Sequence, residues 1–194
     1  MALEDNVNAL AQFAALCQRY GMVPIVEPEV MVLEGSHNIA ASRATSERVV
    51  KALMAALEAR GVVLDAVLLK VAMVLPSRAV SEEIKATKGK TFFAELVGEE
   101  TVKMLNDSVP KEIGGIVFLS GGQDDDDAMC NLGCVCKSNR ACEEPFRMSF
   151  SYGRALQQAA LKEWAGRGDA EGIASAQRKL VERCKLASLA LVAK

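Results

Sequence analysis

The sequence predicts an α/β protein built on a parallel sheet. Short apolar runs alternate with longer amphipathic stretches four times along the 194 residues, which is the pattern of βα units. The apolar runs are rich in Val, Leu and Ile, as in strands that helices cover in a parallel sheet. No low-complexity linker divides the chain, so we expect one domain over residues 1–194.

The first half of the chain contains two of these units. Apolar residues recur at helical spacing over Leu3–Arg19 and again over His37–Arg60, and a glycine follows each stretch closely. The run "MVPIVEPE" between them predicts the first strand. The second strand is expected in "VLLKVAMVLP", residues 67–76, where Lys70 is the one charged residue. Because its neighbours are apolar on both sides, this strand is predicted to be buried on both faces.

The second half repeats the pattern. A long polar-rich stretch has helix potential over Glu95–Leu105, and "GGIVFLS" predicts the third strand. The acidic segment "GGQDDDDAM" then opens a helix. "FRMSFS" is the fourth predicted strand, "YGRALQQAALKEWAG" the helix after it, and a last helix is expected from Ala170 to the end of the chain.

Composition argues against several classes of protein. The chain has 25 acidic and 23 basic residues, with a formal net charge of −2, so we expect no affinity for nucleic acid or for an anionic membrane. The apolar runs are too short to cross a bilayer, and the first residues lack the pattern of a signal peptide. A cytoplasmic protein is therefore expected.

The six cysteines allow two interpretations. Four of them lie in "CNLGCVCKSNRAC", which suggests a metal clamp, but C-x3-C-x-C-x5-C is not a usual zinc spacing. Free thiols on helix faces and loops in a reducing compartment are favoured. No metal site is predicted.

Polar or glycine-containing segments stand at the carboxyl end of every predicted strand. In chain order they are Glu27 and Glu29, Lys70, Ser120-Gly121-Gly122, and Ser151-Tyr152-Gly153-Arg154. Because reactive groups of parallel α/β sheets lie at this end of the strands, we expect these segments to converge on one rim.

Each segment also has an ordinary structural interpretation. A pair of glutamates at a strand end can simply be solvated, a lysine can extend its ammonium to water, and short glycine pairs are common. The two turns are more informative together. "SGGQ" has the form of an anion-binding turn before a helix, and "SYGR" adds a guanidinium suited to phosphate. Their position after the last two strands matches the phosphate site of (β/α)8 barrels.

The segments "VPIVEPEV", "LLK", "FLSGGQ" and "SFSYGRALQQAALKEW" together resemble class I fructose-1,6-bisphosphate aldolase, the Schiff-base enzyme of glycolysis. The resemblance covers the carboxyl-terminal half of the family only, from the helix before the fifth barrel strand. It implies a parallel (β/α) half-barrel, four βα units of a TIM barrel that hold family strands five to eight. The chain is then a partial TIM-barrel domain, truncated at both ends relative to the family.

The resemblance also implies roles for individual residues. Lys70 would be the Schiff-base lysine, and its apolar strand would favour the free amine that attacks a ketone. Glu27 would be the acid/base group in forming and dehydrating the carbinolamine, and Glu29 would help set the charge around the lysine. The residues implied to bind the substrate phosphate are Ser120, Gly121, Gly122, Ser151, Gly153 and Arg154. No cofactor and no metal are implied, because the imine replaces the metal ion of class II enzymes.

The chain departs from the family's "LLKPNMV-TPG", because Val71, Ala72 and Ser77 stand at the Pro, Asn and Gly positions. By this comparison the segment 78–93 is also longer than the family's loop. The family's amino-terminal half would supply the aspartate and lysines that complete proton transfer and hold the other phosphate.

Two hypotheses follow. The chain is part of an aldolase that cleaves fructose 1,6-bisphosphate to dihydroxyacetone phosphate and glyceraldehyde 3-phosphate, and is inactive as this fragment alone. Alternatively, it is a non-catalytic half-barrel that binds a phospho-metabolite or acts as an assembly module. In both cases the ligand is a sugar phosphate, and the chain is a homo-oligomer or is complemented by an amino-terminal half.

Overall fold

Helices and strands alternate in the computed structural model of the chain, which describes residues 1–31 and 34–192. In chain order the elements are α1 (Ala2–Arg19), β1 (Ile25–Val26), α2 (Ile39–Ala59), a 3-10 turn (Leu64–Ala66), β2 (Leu68–Val71), α3 (Arg78–Lys88), α4 (Lys90–Ser108), β3 (Gly115–Phe118), α5 (Asp125–Arg140), β4 (Met148–Phe150), α6 (Arg154–Trp164) and α7 (Ala170–Leu191). The strands lie side by side in one sheet in the order β1-β2-β3-β4, and every neighbouring pair is parallel. The predicted α/β class and parallel sheet are confirmed.

The sheet has one covered face and one open face. Side chains alternate between the faces along a strand. Val26, Leu69 and Ile116 are aligned across three strands, are at most 1% exposed, and belong to a hydrophobic cluster shared with the helices. On the other face Ile25 is 48% exposed and its neighbour Leu68 is partly exposed. Helices on one face and an open second face are what half of a (β/α)8 barrel presents.

The first two strands are shorter than predicted. β1 comprises two residues of "MVPIVEPE", since Pro28 after it has no N–H to donate to the ladder. β2 ends at Val71, and beyond it the N–H of Val74 donates to Thr101 Oγ1 at 2.9 Å. Within β2 the even-numbered residues, Leu68 and Lys70, are partly exposed. The prediction that 67–76 forms a strand buried on both faces is therefore wrong.

An additional helix lies in the polar-rich stretch of the middle of the chain. The predicted helix Glu95–Leu105 lies inside the longer α4, and α3 precedes it. Gly89 separates the two with φ 91°, a backbone conformation that favours glycine. The extra length noted in segment 78–93 is thus mostly helical.

Two of the remaining helices, α2 and α7, begin at side-chain caps. Asn38 Oδ1 accepts from Ala41 N–H at 2.9 Å before α2, and Asp169 Oδ1 accepts from Gly172 N–H at 2.6 Å before α7. α7 extends to Leu191, while the last two positions of the predicted final helix, 193 and 194, lie outside the described residues. None of the described helices is long and apolar enough to span a membrane.

Candidate active site

Lys70 and Glu27 meet at the carboxyl ends of the first two strands. The register pairs Val26 with Leu69, so the next residue on each chain segment points to the same, open side of the sheet. The Lys70 Nζ lies 3.1 Å from Glu27 Oε1, and the two side chains are 21% and 39% exposed. A carboxylate at hydrogen-bond distance from an amine is placed to give and take protons at that nitrogen.

The surroundings of Lys70 differ from those expected for it. Lys70 was expected in a strand buried on both faces, whereas in the structure it lies beside Val117 on the open face and pairs with Glu27, which was expected on the same rim. The lysine is accordingly accessible to a molecule that approaches this face, rather than enclosed in the sheet.

Glu29 lies at the turn after β3. A Cβ placed on Gly121 would be 3.3 Å from Glu29 Oε1, 3.9 Å from Arg154 Nη2 and 3.0 Å from Leu119 Cδ1. The turns after β3 and β4 and the segment after β1 therefore approach one another at Gly121. The structure brings Glu29 to the predicted phosphate site, while the ion pair of Lys70 is made with Glu27.

The two predicted phosphate turns each lead into a helix. In the first, Ser120 is buried, Gly122 has φ 78°, and the N–H of Gln123 donates to Ser120 O at 3.3 Å before α5 begins. In the second, the N–H of Ser151 donates to Phe118 O at 2.9 Å, which holds this turn against β3.

Gly153 is the residue before α6, and Arg154 is the first residue of that helix. Both turns thus present a helix amino terminus, where N–H groups and the helix dipole favour an anion.

A polar cavity of about 240 Å³ adjoins these turns. It lies between α3 and the start of α5, and its lining includes Gly122 and Arg154 together with Arg78 of α3. The contribution of Arg78 was not predicted from the sequence, because the segment that carries it was not expected to be helical.

Lys85 joins α3 to α5 and lines this cavity. Its Nζ is 2.7 Å from Asp127 Oδ2 and 2.5 Å from Glu82 Oε1, and its side chain is 10% exposed. Burial acts to lower the pKa of Lys85, but the hydrogen bonds with Asp127 and Glu82 outweigh it and raise that pKa above 10.5. The ammonium therefore stays charged at neutral pH.

Two further hydrogen-bond systems support the turns. Asn131, 1% exposed, donates through Nδ2 to Gln123 Oε1 at 2.7 Å, and this ties the first turn to α5. The Tyr152 hydroxyl of the second turn donates to Ala128 O at 3.0 Å. Burial raises the pKa of Tyr152, so it remains a neutral donor. Neither pairing was predicted from the sequence.

The cysteines do not form a ligand cluster. All six are free, and three of the four in the cysteine-rich segment lie on α5, at Cys130, Cys134 and Cys136. Burial, followed by the charge of Glu95, raises the pKa of Cys134, and burial raises that of Cys136. In residues 1–31 and 34–192 no group of three or more His, Cys, Asp or Glu side chains could hold a metal ion.

Comparison with known proteins gives matches over the whole chain. Residues 1–194 match the family model described as "Glycolytic: Fructose-bisphosphate aldolase class-I". A probable fructose-bisphosphate aldolase class 1 of Xylella fastidiosa is 42% identical over 100% of this chain and 54% of its own length. A cytosolic fructose-bisphosphate aldolase 6 of Arabidopsis thaliana is 41% identical over 95% of this chain and 48% of its own length.

The fold of this chain is also similar to that of a solved structure. The fructose-bisphosphate aldolase of Plasmodium falciparum, in complex with TRAP and a small molecule inhibitor, has a TM-score of 0.86 and 35% identity to this chain. The similarity covers 99% of this chain and 51% of that one. The chain spans about half the length of the curated relatives it matches.

Proposed function

Because the chain belongs to the class I fructose-bisphosphate aldolase family, we propose that it carries the Schiff-base half of an aldolase active site. The reaction is the cleavage of fructose 1,6-bisphosphate to dihydroxyacetone phosphate and glyceraldehyde 3-phosphate in glycolysis. The observation that carries the proposal is the 3.1 Å pair of Lys70 Nζ and Glu27 Oε1 on the open face.

In this proposal Lys70 is the nucleophile. Its free amine attacks the ketone carbon, and Glu27 transfers the protons that convert the carbinolamine to a protonated imine and water. When the bond between the third and fourth sugar carbons breaks, its electron pair moves toward the imine nitrogen and leaves an enamine. Protonation of the enamine and hydrolysis of the imine then release dihydroxyacetone phosphate and restore the lysine.

The phosphate of the substrate is bound between the two turns. Ser120, Gly121 and Gly122 offer a hydroxyl and backbone N–H groups, and Ser151, Gly153 and Arg154 complete the site with a guanidinium. Arg154 Nη2 and Glu29 Oε1 both lie within 4 Å of the Cβ position of Gly121. Glu29 would orient Arg154 and balance its charge, and so act on the lysine through the bound substrate.

The remaining catalytic groups are proposed to come from outside this chain. The family's amino-terminal half supplies an aspartate and lysines. Together these residues take the proton of the sugar hydroxyl and bind the second phosphate. Residues 1–194 then form one partial TIM-barrel domain that is inactive alone and needs a complementing half or a homo-oligomer. Neither a cofactor nor a metal enters the proposed chemistry. The expected location is the cytoplasm, in line with the Arabidopsis relative, whose name describes it as cytosolic.

One observation favours a second candidate function. The open face of the sheet exposes apolar side chains such as Ile25 next to the intact phosphate turns. A half-barrel of this kind would bind a phospho-metabolite or serve as an assembly module without turning over substrate.

Borohydride trapping distinguishes the two functions. Dihydroxyacetone phosphate and borohydride should give a stable adduct, which mass spectrometry locates on the peptide that contains Lys70. The adduct should disappear in Lys70→Met and persist in the control Lys103→Met, which removes an exposed lysine of α4. An adduct on another lysine, or none at saturating ligand, rejects the Schiff-base function, and phosphate binding without an adduct supports the binding module.

A further inference from the structure

Arg183 of α7 is a buried cation that the proposed chemistry does not use. Its side chain is 7% exposed, although guanidinium groups are rarely buried without a reason. The Nε donates to Ala155 O at 3.1 Å, Nη1 to Asp126 Oδ1 at 2.7 Å, and Nη2 to Asp125 O at 2.7 Å. One side chain therefore contacts the first turns of both α5 and α6.

These contacts lie directly behind the two phosphate turns. Ala155 follows Arg154 in the chain, and Asp125 begins the helix that the first turn opens. The planar guanidinium fixes the directions of its donors, so it sets the distance between the two helix amino termini. The second link between them is the hydrogen bond of Tyr152 to Ala128.

The charges around Arg183 have both signs. A cation next to helix amino termini is unfavourable by itself, because the helix dipoles are positive there. The one carboxylate that pairs with it, Asp126, has a side chain that is 87% exposed and is well solvated without the pair. Asp124, Asp125 and Asp127 also lie at the start of α5, so the role of Arg183 follows from the geometry of its hydrogen bonds and not from a local excess of positive charge.

We propose that Arg183 is a positioning residue for the phosphate site, which holds the turns 120–123 and 151–154 at the spacing that one phosphate group requires. The proposal rests on the proposed function, because it assumes that these turns bind phosphate. Arg183 itself does not touch the ligand.

A pair of ketones tests this role at Lys70. Dihydroxyacetone phosphate needs the phosphate site, whereas dihydroxyacetone reaches the lysine without it. In Arg183→Gln, the dihydroxyacetone phosphate concentration for half-maximal borohydride trapping should rise about tenfold, the scale of one charged hydrogen bond. Trapping of dihydroxyacetone should be unchanged. A general loosening of the fold would reduce both equally.

Matched variants complete the test. Arg178→Gln removes an exposed charge from the same helix and should behave as wild type, whereas Arg154→Ala should show the ligand-selective loss directly. Arg183→Lys keeps the charge but not the planar fork and should be intermediate. If Arg183→Gln does not fold, Asp126→Asn replaces it, because that exposed residue should tolerate the change and still loosen the guanidinium, with a smaller selective loss.

The outcomes separate this inference from the function itself. The role of Arg183 is overturned if Arg183→Gln needs the same dihydroxyacetone phosphate concentration as wild type for half-maximal trapping. It is also overturned if trapping of both ketones weakens equally. Either result leaves the aldolase function intact. If wild type traps neither ketone, the Schiff-base function fails, and calorimetry with inorganic phosphate decides on Arg183. In that experiment, about tenfold weaker binding of inorganic phosphate to Arg183→Gln than to wild type supports the role. Equal affinities of the two proteins overturn it, and so does a wild type that does not bind phosphate.

Discussion

Gly121 is the residue at which the components of the site come closest together. An added Cβ would meet Leu119 Cδ1 at 3.0 Å and Glu29 Oε1 at 3.3 Å, so both side chains would have to shift by a few tenths of an ångström. Glu29 would move relative to Arg154, whose Nη2 lies 3.9 Å from the same point. The crowding thus acts both on Glu29 beside the proposed phosphate site and on the buried side chain of Leu119.

We therefore expect Gly121→Ala to weaken dihydroxyacetone phosphate binding several-fold at nearly unchanged stability. Gly121 does not have a positive φ, and an alanine that fits its backbone lowers the entropy of the unfolded chain, so the unfolding free energy should change by less than about 1 kcal/mol. Titration with the ketone phosphate and urea unfolding measure the two effects. Gly168→Ala, where nothing lies within 4 Å of the new Cβ, is the control. Unchanged binding in Gly121→Ala would contradict the placement of the phosphate at this turn.

Residues were predictable from the sequence where a strand end fixes their position. Lys70 and Glu27 follow paired strands, so the parallel register alone brings them to one rim. Lys85 and Arg183 were not predictable in this way. Each is charged and sits on an amphipathic helix, and the carboxylates of α5 that pair with them lie 42 and 57 residues away in the chain. Such pairings depend on how helices pack, which a sequence pattern does not encode.

At the scale of elements, α3 is attached to the rest of the site through one buried ion pair. Lys85 is 10% exposed and its partner Asp127 on α5 is 15% exposed. Removing the ammonium leaves the Asp127 carboxylate partly buried without its counterion, which is costly. Lys85→Met should lower the unfolding free energy by about 2 kcal/mol, since water still reaches part of the pair. Lys88→Met, on the exposed side of the same helix, should change it by much less.

The pH dependence of this difference has a defined sign. The folded-state pKa of Lys85 is raised above 10.5, so its contribution to stability is fully present below 10.5 and is lost as pH rises through the folded value. Urea unfolding should show that wild type and Lys85→Met differ in unfolding free energy by a constant amount near neutral pH. This difference should shrink in strongly alkaline solution. A difference that grows with pH would show that Lys85 does not gain its charge stabilisation from Asp127 and Glu82.

The elements themselves were largely predictable, with α3 as the main exception. Strands and long helices have enough apolar residues to show their period. In α3, "RAVSEEIKATK" offers only Val80 and Ile84 as large apolar residues, so its helical period is weak beside its many charges. Packing against α4 and the ion pair of Lys85 stabilise a helix that its periodicity hardly indicates.

At the scale of the whole molecule, the surface is larger than that of a finished globular domain. The accessible area is 10685 Å², whereas a folded monomer of this mass exposes about 9,000 Å². Many of the exposed large apolar side chains form two groups. One group lies near β1 and α1 and comprises Phe13, Leu16, Tyr20, Met22, Val23 and Ile25; the other lies on α7 and comprises Leu180, Val181, Leu186 and Leu189.

β1 and β4 are the outer strands of the described sheet. β1 has β2 on one side, β4 has β3 on one side, and their other edges are unpaired among the described strands. Unpaired parallel edges next to exposed apolar surface promote association. The excess area of about 1,700 Å² is more than the roughly 800 Å² that each partner buries in a standard interface.

We therefore predict that the purified chain associates with a second copy through its sheet edges. Placing β4 of one copy beside β1 of the other, twice, gives eight parallel strands, the number in a closed (β/α)8 barrel. Sedimentation velocity at micromolar concentration should show a dimer or larger species. Ile25→Lys adds a charge to β1 at the open face and should shift the population toward monomer, whereas Phe92→Lys, on α4 away from both edges, should not.

The amino-terminal half of a related aldolase should compete with self-association and restore some cleavage, because its aspartate and lysines would return to the rim. A stable monomer with sharp thermal unfolding would instead mean that the open face needs no partner, and the division of the site between two halves would be wrong.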